Sequence, residues 1–118
     1  MERKMGEEIT IEAVYEYYTD TIQRCGMYLC NASDDDIEYE IFEEFDIGAT
    51  SFLFDDVLHK LNDANLITED IMIKSSLLRR KFFEIQGTPL WNIEAVRTSD
   101  EWKDILLLAD EINQDLHR

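Results

Sequence analysis

Helix breakers are scarce in this chain: its 118 residues include a single proline, Pro89, and four glycines. Proline interrupts helices and strand ladders alike, and glycine is the usual means of turning a backbone sharply. A chain with so little punctuation is confined to a few long elements, and the spacing of its apolar residues decides their type. Ile11, Val14, Tyr15, Tyr18, Ile22 and Cys25 follow the i, i+3, i+4 rhythm of one helix face, with Thr10 placed as N-cap. Gly26 ends or loosens that helix, and the chain turns by Asn31 and Ala32.

Ser33 opens a second helix, its hydroxyl placed to accept from the Asp36 amide. Ile37, Ile41, Phe42 and Phe45 make the inner face, and Gly48 sits where a left-handed C-terminal residue belongs. A third helix follows Thr50 or Ser51, carries Phe54, Val57, Leu58 and Leu61, and closes at Asn62 to Asn65. Thr68 caps a fourth, which runs through Ile71, Leu78, Phe82 and Ile85 to Gly87. The stretch from Thr88 to Val96 stays open between a helical turn begun by Pro89 and an extended apolar connector. Thr98 and Glu101 form a capping-box pattern ahead of Trp102, Ile105, Leu106, Ala109, Ile112 and Leu116, and Arg118 ends this last helix where the dipole favours a cation. Strand alternation is nowhere sustained. The expected fold class is all-α, a single domain over residues 1–118 built as a bundle of about five helices.

Charge is the anomaly. Twenty-seven acids against eleven bases give a formal net charge of −16, while the apolar share of 45% is that of an ordinary globular protein. Self-repulsion on this scale is a cost unless something uses it, and it argues against direct binding to nucleic acid or an anionic membrane. A basic protein is the natural partner. The N-terminal stretch Met1 to Glu8 lacks the apolar run of a signal peptide, and no segment approaches the roughly 18 uninterrupted apolar residues of a membrane span. Cys25 and Cys30, five apart, would face different ways on a helix and are expected as reduced thiols. A cytoplasmic protein, monomeric when free, is expected.

The acids are concentrated. Residues 1–70 hold nineteen of them against four bases, and the span from Asp34 to Asp46 packs eight into thirteen positions. On a helix, Asp36, Glu40, Glu43 and Glu44 would share an exposed side, with Glu43, Glu44 and Asp46 near a C-terminus where the dipole disfavours them. A charge run is usually a solvated face. This one lacks interleaved lysines and carries Tyr39, whose ring and hydroxyl are typical of an interface anchor. Asp35, Glu38, Tyr39, Glu43, Glu44 and Asp46, with Asp55 and Asp56 nearby, are therefore the candidate partner-binding residues.

Other chemistries find less support. Asp56 and His59 stand at i, i+3 like half of a carboxylate-bridged metal site, but the only other histidine is His117. Asp34, Asp35 and Asp36 lack the spacing of a calcium loop, no Gly-rich phosphate loop occurs, and no motif supports a Cys–His nucleophile. No catalytic residue, metal or cofactor is expected. Lys74, Arg79, Arg80 and Lys81 form the one basic cluster, suited to pairing with the acidic half, and Trp91 and Trp102 are expected in the core.

The size, the charge, the helical pattern and the acidic-aromatic stretch from Asp34 to Asp46 together resemble bacterial toxin immunity proteins. These include the partners of contact-dependent growth inhibition toxins and of nuclease bacteriocins. The segment from Trp91 to Lys103 is similar in kind. The resemblance implies a non-enzymatic protein that binds and neutralises a cognate basic toxin, with the carboxylates occupying ground otherwise used by nucleic acid. Two alternatives belong to other classes: an acidic adaptor or DNA mimic that binds a nucleic-acid-binding protein, and an enzyme with a carboxylate-held metal.

Overall fold

Short polar side chains start most of the helices. In the computed structural model, which describes residues 9–117, Thr10 caps α1 (Ile11–Gln23) by accepting from the Ala13 amide at 3.1 Å. A 3-10 turn, Met27–Asn31, leads to Ser33, whose hydroxyl accepts from the Asp36 amide at 3.1 Å. Three stretches then run on without a break, Asp34–Ile37, Glu38–Phe45 and Asp46–Phe52, and together they form α2. α3 (Asp55–Asp63) starts at Phe54 with no side-chain cap, and Asn65 takes the left-handed conformation just past its end. Thr68 caps α4 (Glu69–Ile85), Asn92 caps the short α5 (Ile93–Thr98), and Ser99 caps α6 (Asp100–Leu116). Every described element is helical. The fold is all-α, with the open stretch after Thr88 resolved as a turn followed by α5.

The middle of α2 is a π-helix, Glu38–Phe45. Its apolar residues explain the wider turn. Ile37, Ile41, Phe45, Ala49 and Leu53 recur at a strict interval of four, and all are fully buried. In an α-helix of 3.6 residues per turn a step of four overshoots a full turn by about 40°. The wider turn of the π segment, with its i→i+5 hydrogen bonds, falls short of one instead, so it offsets the drift of the α segment that follows, Asp46–Phe52, and the whole stripe stays inward.

Gly48 is not a helix end. It lies inside α2, where the backbone comes so close to α1 that an added Cβ would stand 2.3 Å from Thr21 Oγ1. α1 and α2 are antiparallel: Arg24 reaches Glu40, Thr21 meets Gly48, and the Tyr17 and Phe52 rings stack at 5.2 Å. α4 and α6 form a second antiparallel pair, joined where Lys74 meets Glu111 at 2.6 Å and Asp115 at 2.8 Å. A buried hydrogen bond of 2.6 Å between Tyr18 and Ser75 ties α1 to α4. Phe45, Phe82 and Trp102 fill the centre with edge-to-face contacts, Trp91 packs against Phe82 from the rim, and the Trp102 indole donates to the Leu90 carbonyl at 2.7 Å.

Two expectations are corrected here. The α6 cap is Ser99, accepting from the Trp102 amide, while the Thr98 hydroxyl bonds back to the Glu94 carbonyl within α5. Trp91 is only half-buried, whereas Trp102 is in the core. The basic cluster divides: Lys74 and Arg79 enter ion pairs within the fold, and both cysteines are free thiols. No helix among the described residues is long and apolar enough to cross a membrane. The expectations for Met1 to Glu8 and for Arg118 fall outside the described residues.

Candidate functional site

α2 arranges the acidic stretch into files. In its wide-turn segment a side chain four positions on returns to nearly the same direction, so Ile37, Ile41 and Phe45 make one file against the core. Glu40 and Glu44 flank it on the α1 side, and Glu38 and Phe42 flank it on the other. Asp35, Tyr39 and Glu43 form the outer file, exposed to solvent. Because the helix runs on to Phe52, Glu43, Glu44 and Asp46 sit mid-helix, and the expected conflict with the dipole is absent.

The α1 flank is electrically closed. Arg24 stands 3.0 Å from Asp20, 2.7 Å from Glu40 and 4.0 Å from Glu44, with its guanidinium 5.7 Å from the centre of the Tyr39 ring. Partial burial works against the Arg24 charge, but its hydrogen bonds to Asp20 and Glu40 outweigh that and raise its pKa above the ordinary range. At the start of α2, Arg97 pairs with Asp34 at 2.7 Å and donates to the Ala32 carbonyl. These two arginines fasten the helix to α1 and α5, so its outer file is carried on a braced support.

The outer file and the other flank are electrically open. Among the described residues no ion pair reaches Asp35, Asp36, Glu38 or Glu43. Tyr39, at 48% exposure, stands in the middle of them, and Tyr28 is 51% exposed with its hydroxyl donating to the Arg24 carbonyl. Glu38 and Phe42 line a surface groove of about 450 Å³ together with Trp91, Asn92 and Ile93. Asp46 accepts from the Gln86 side chain at 3.1 Å, which commits it to the fold.

Asp55 and Asp56 stand apart from this file. They belong to the first turn of α3, beyond the bend at Leu53 and Phe54, where the dipole favours carboxylates. Asp55 accepts from Ser76 at 3.0 Å and pairs with Arg79 at 3.2 Å, and the Ser76 hydrogen bond, with Arg79, holds its carboxyl below the ordinary range. Asp56 is exposed and meets no cation among the described residues. The structure therefore gathers Asp35, Glu38, Tyr39, Glu43, Glu44 and Asp46 on one helix and sets Asp55 and Asp56 on another.

Two features escaped the sequence reading. Arg24, the one cation between Lys4 and Lys60, joins α1 to the face and brings Asp20 and Tyr28 with it. Its isolation among acids was the available signal. The Phe42–Trp91 groove had none, since it joins residues far apart in the chain. His59 is exposed, and among the described residues no three His, Cys, Asp or Glu side chains are placed to hold a metal ion. An ordered array of carboxylates around a half-exposed tyrosine can bind cationic groups. No protein-family model matches the chain, and no curated protein or solved structure is found similar to it.

Proposed function

We propose that this protein is an immunity-type inhibitor that docks a basic partner, a nuclease toxin domain, on the outer file of α2. A nuclease collects phosphate with lysine and arginine, and an array of fixed carboxylates competes for the same cations. The observation that carries this reading is the set Asp35, Glu38 and Glu43, carboxylates with no ion-pair partner among the described residues, grouped around the half-exposed Tyr39. Arg24 and Arg97 neutralise the neighbouring acids, which leaves the open ones ordered on a single rigid support. The net charge of −16 steers the encounter, and Tyr39 supplies contact area with few rotors to order. The inhibitor acts in the cytoplasm, is monomeric until it binds, and performs no chemistry of its own.

The test is co-expression with the product of the adjacent gene, scored by co-purification and by rescue of growth. Replacing Asp35 and Glu43 together by lysine is expected to slow association by about tenfold or more at low salt and to flatten its salt dependence. Association unchanged by that double reversal would overturn the assignment of the face.

A further inference from the structure

One local device occurs twice in this fold. Tyr39 and Glu40 are a ring and a carboxylate side by side in sequence, and Arg24 closes over both, 5.7 Å from the ring centre and 2.7 Å from the carboxylate. Phe54 and Asp55 repeat it: Arg79 lies 5.5 Å from the ring centre and 3.2 Å from the carboxylate. A third set of the same parts is assembled from two regions of the chain. The Phe42 and Trp91 rings meet edge to face, 4.8 Å apart at 87°, and with Glu38 they wall the groove of about 450 Å³ beside α2. Here the cation is lacking. Among the described residues no arginine or lysine lies over either ring, and no ion pair reaches Glu38.

We infer that this groove is the receptor for one arginine side chain of the basic partner, an assignment that rests on the docking role proposed above. The planar guanidinium stacks on an aromatic face while its fork of donors engages a carboxylate, which a compact and strongly hydrated ammonium does poorly. Ile93 offers an apolar edge for the methylene stem. Asn92 shapes the groove rather than selecting its occupant, because its side chain is spent locally, accepting from the Ala95 amide and donating to the Pro89 carbonyl.

The probes are hexa-arginine and hexa-lysine peptides titrated into the isotope-labelled full chain. Hexa-arginine is expected to bind about fivefold more tightly. The Trp91 indole N–H should move most, while that of Trp102, buried and bonded to the Leu90 carbonyl, stays in place. Glu38→Gln, an exposed substitution of nearly equal size, should abolish the preference for arginine without changing the circular dichroism. Equal affinity for the two peptides, with shifts confined to Asp35, Tyr39 and Glu43, would overturn the groove assignment and leave the docking face standing. If neither peptide binds, both fall.

Discussion

Replacing Gly48 by alanine sets two effects against each other, and the geometry decides between them. Inside a helix, alanine is favoured over glycine by about 0.5–1 kcal/mol, because less backbone entropy is lost on folding. At this position, however, the new methyl would stand 2.3 Å from Thr21 Oγ1, 2.7 Å from its Cγ2 and 3.0 Å from its Cβ. Rotating Thr21 about χ1 leaves at least one branch beside the new methyl and gives up the Thr21 hydroxyl's hydrogen bond to the Tyr17 carbonyl, and its Cβ is fixed to the α1 backbone. α1 and α2 must therefore move apart, which disturbs the Tyr17–Phe52 stack and the Arg24–Glu40 pair on either side of the crossing. Overpacking of this kind costs about 1–3 kcal/mol, so the net effect of Gly48→Ala is a loss on the order of 1 kcal/mol. Urea denaturation followed by far-ultraviolet circular dichroism measures it. Thr21→Ala removes the two worst contacts, so the double variant should recover most of the loss, with a coupling of about 1 kcal/mol. Gly48→Ala as stable as the parent, or more so, with no coupling to Thr21, would refute the close crossing.

The same urea titrations test the buried link between α1 and α4. Ser75→Ala strands the Tyr18 hydroxyl in a fully buried site and should cost about 1–3 kcal/mol, whereas adding Tyr18→Phe removes the orphaned group and should restore part of it. Additive losses would mean that the two hydroxyls do not depend on each other. Asp55 makes a prediction in pH. Its folded pKa is lowered, first by Ser76 and further by Arg79, so its contribution is full above an ordinary aspartate pKa of about 3.9 and is lost as pH falls through the lowered value. Asp55→Asn should therefore cost under about 1 kcal/mol near neutrality, as exposed pairs do, and the gap should close in acid. A gap that widens as pH falls contradicts the pairing.

Local chemistry was legible. Thr10, Ser33 and Thr68 cap the helices where their hydroxyls stand in sequence, because a cap needs only an acceptor three residues ahead of an amide. At the start of α6 the rule pointed to Thr98, yet the cap is Ser99, one position on. Which hydroxyl caps α6 depends on how α5 ends against it, and Thr98 is used inside α5 instead. The acidic stretch was visible as a run, but its division was not. Glu40 and Glu44 differ from Glu43 only in facing Arg24, a contact across sixteen positions or more that one strand of text does not contain.

The helical class was settled by composition and period, since a chain with so few breakers and a repeating apolar face has no other way to bury it. The strict interval of four from Ile37 to Leu53 was also in plain view. Only the packed core, by holding every member of that interval inward, set a π segment, Glu38–Phe45, ahead of an ordinary α turn. Gly48 shows the same division. Its lack of a side chain permits either a helix end or a close crossing, and Thr21 on the neighbouring helix selects the crossing. Capping and periodicity act within a few residues and can be read from order alone. The fate of a charge, a glycine or a half-buried ring depends on what packs beside it, which only the assembled tertiary structure decides.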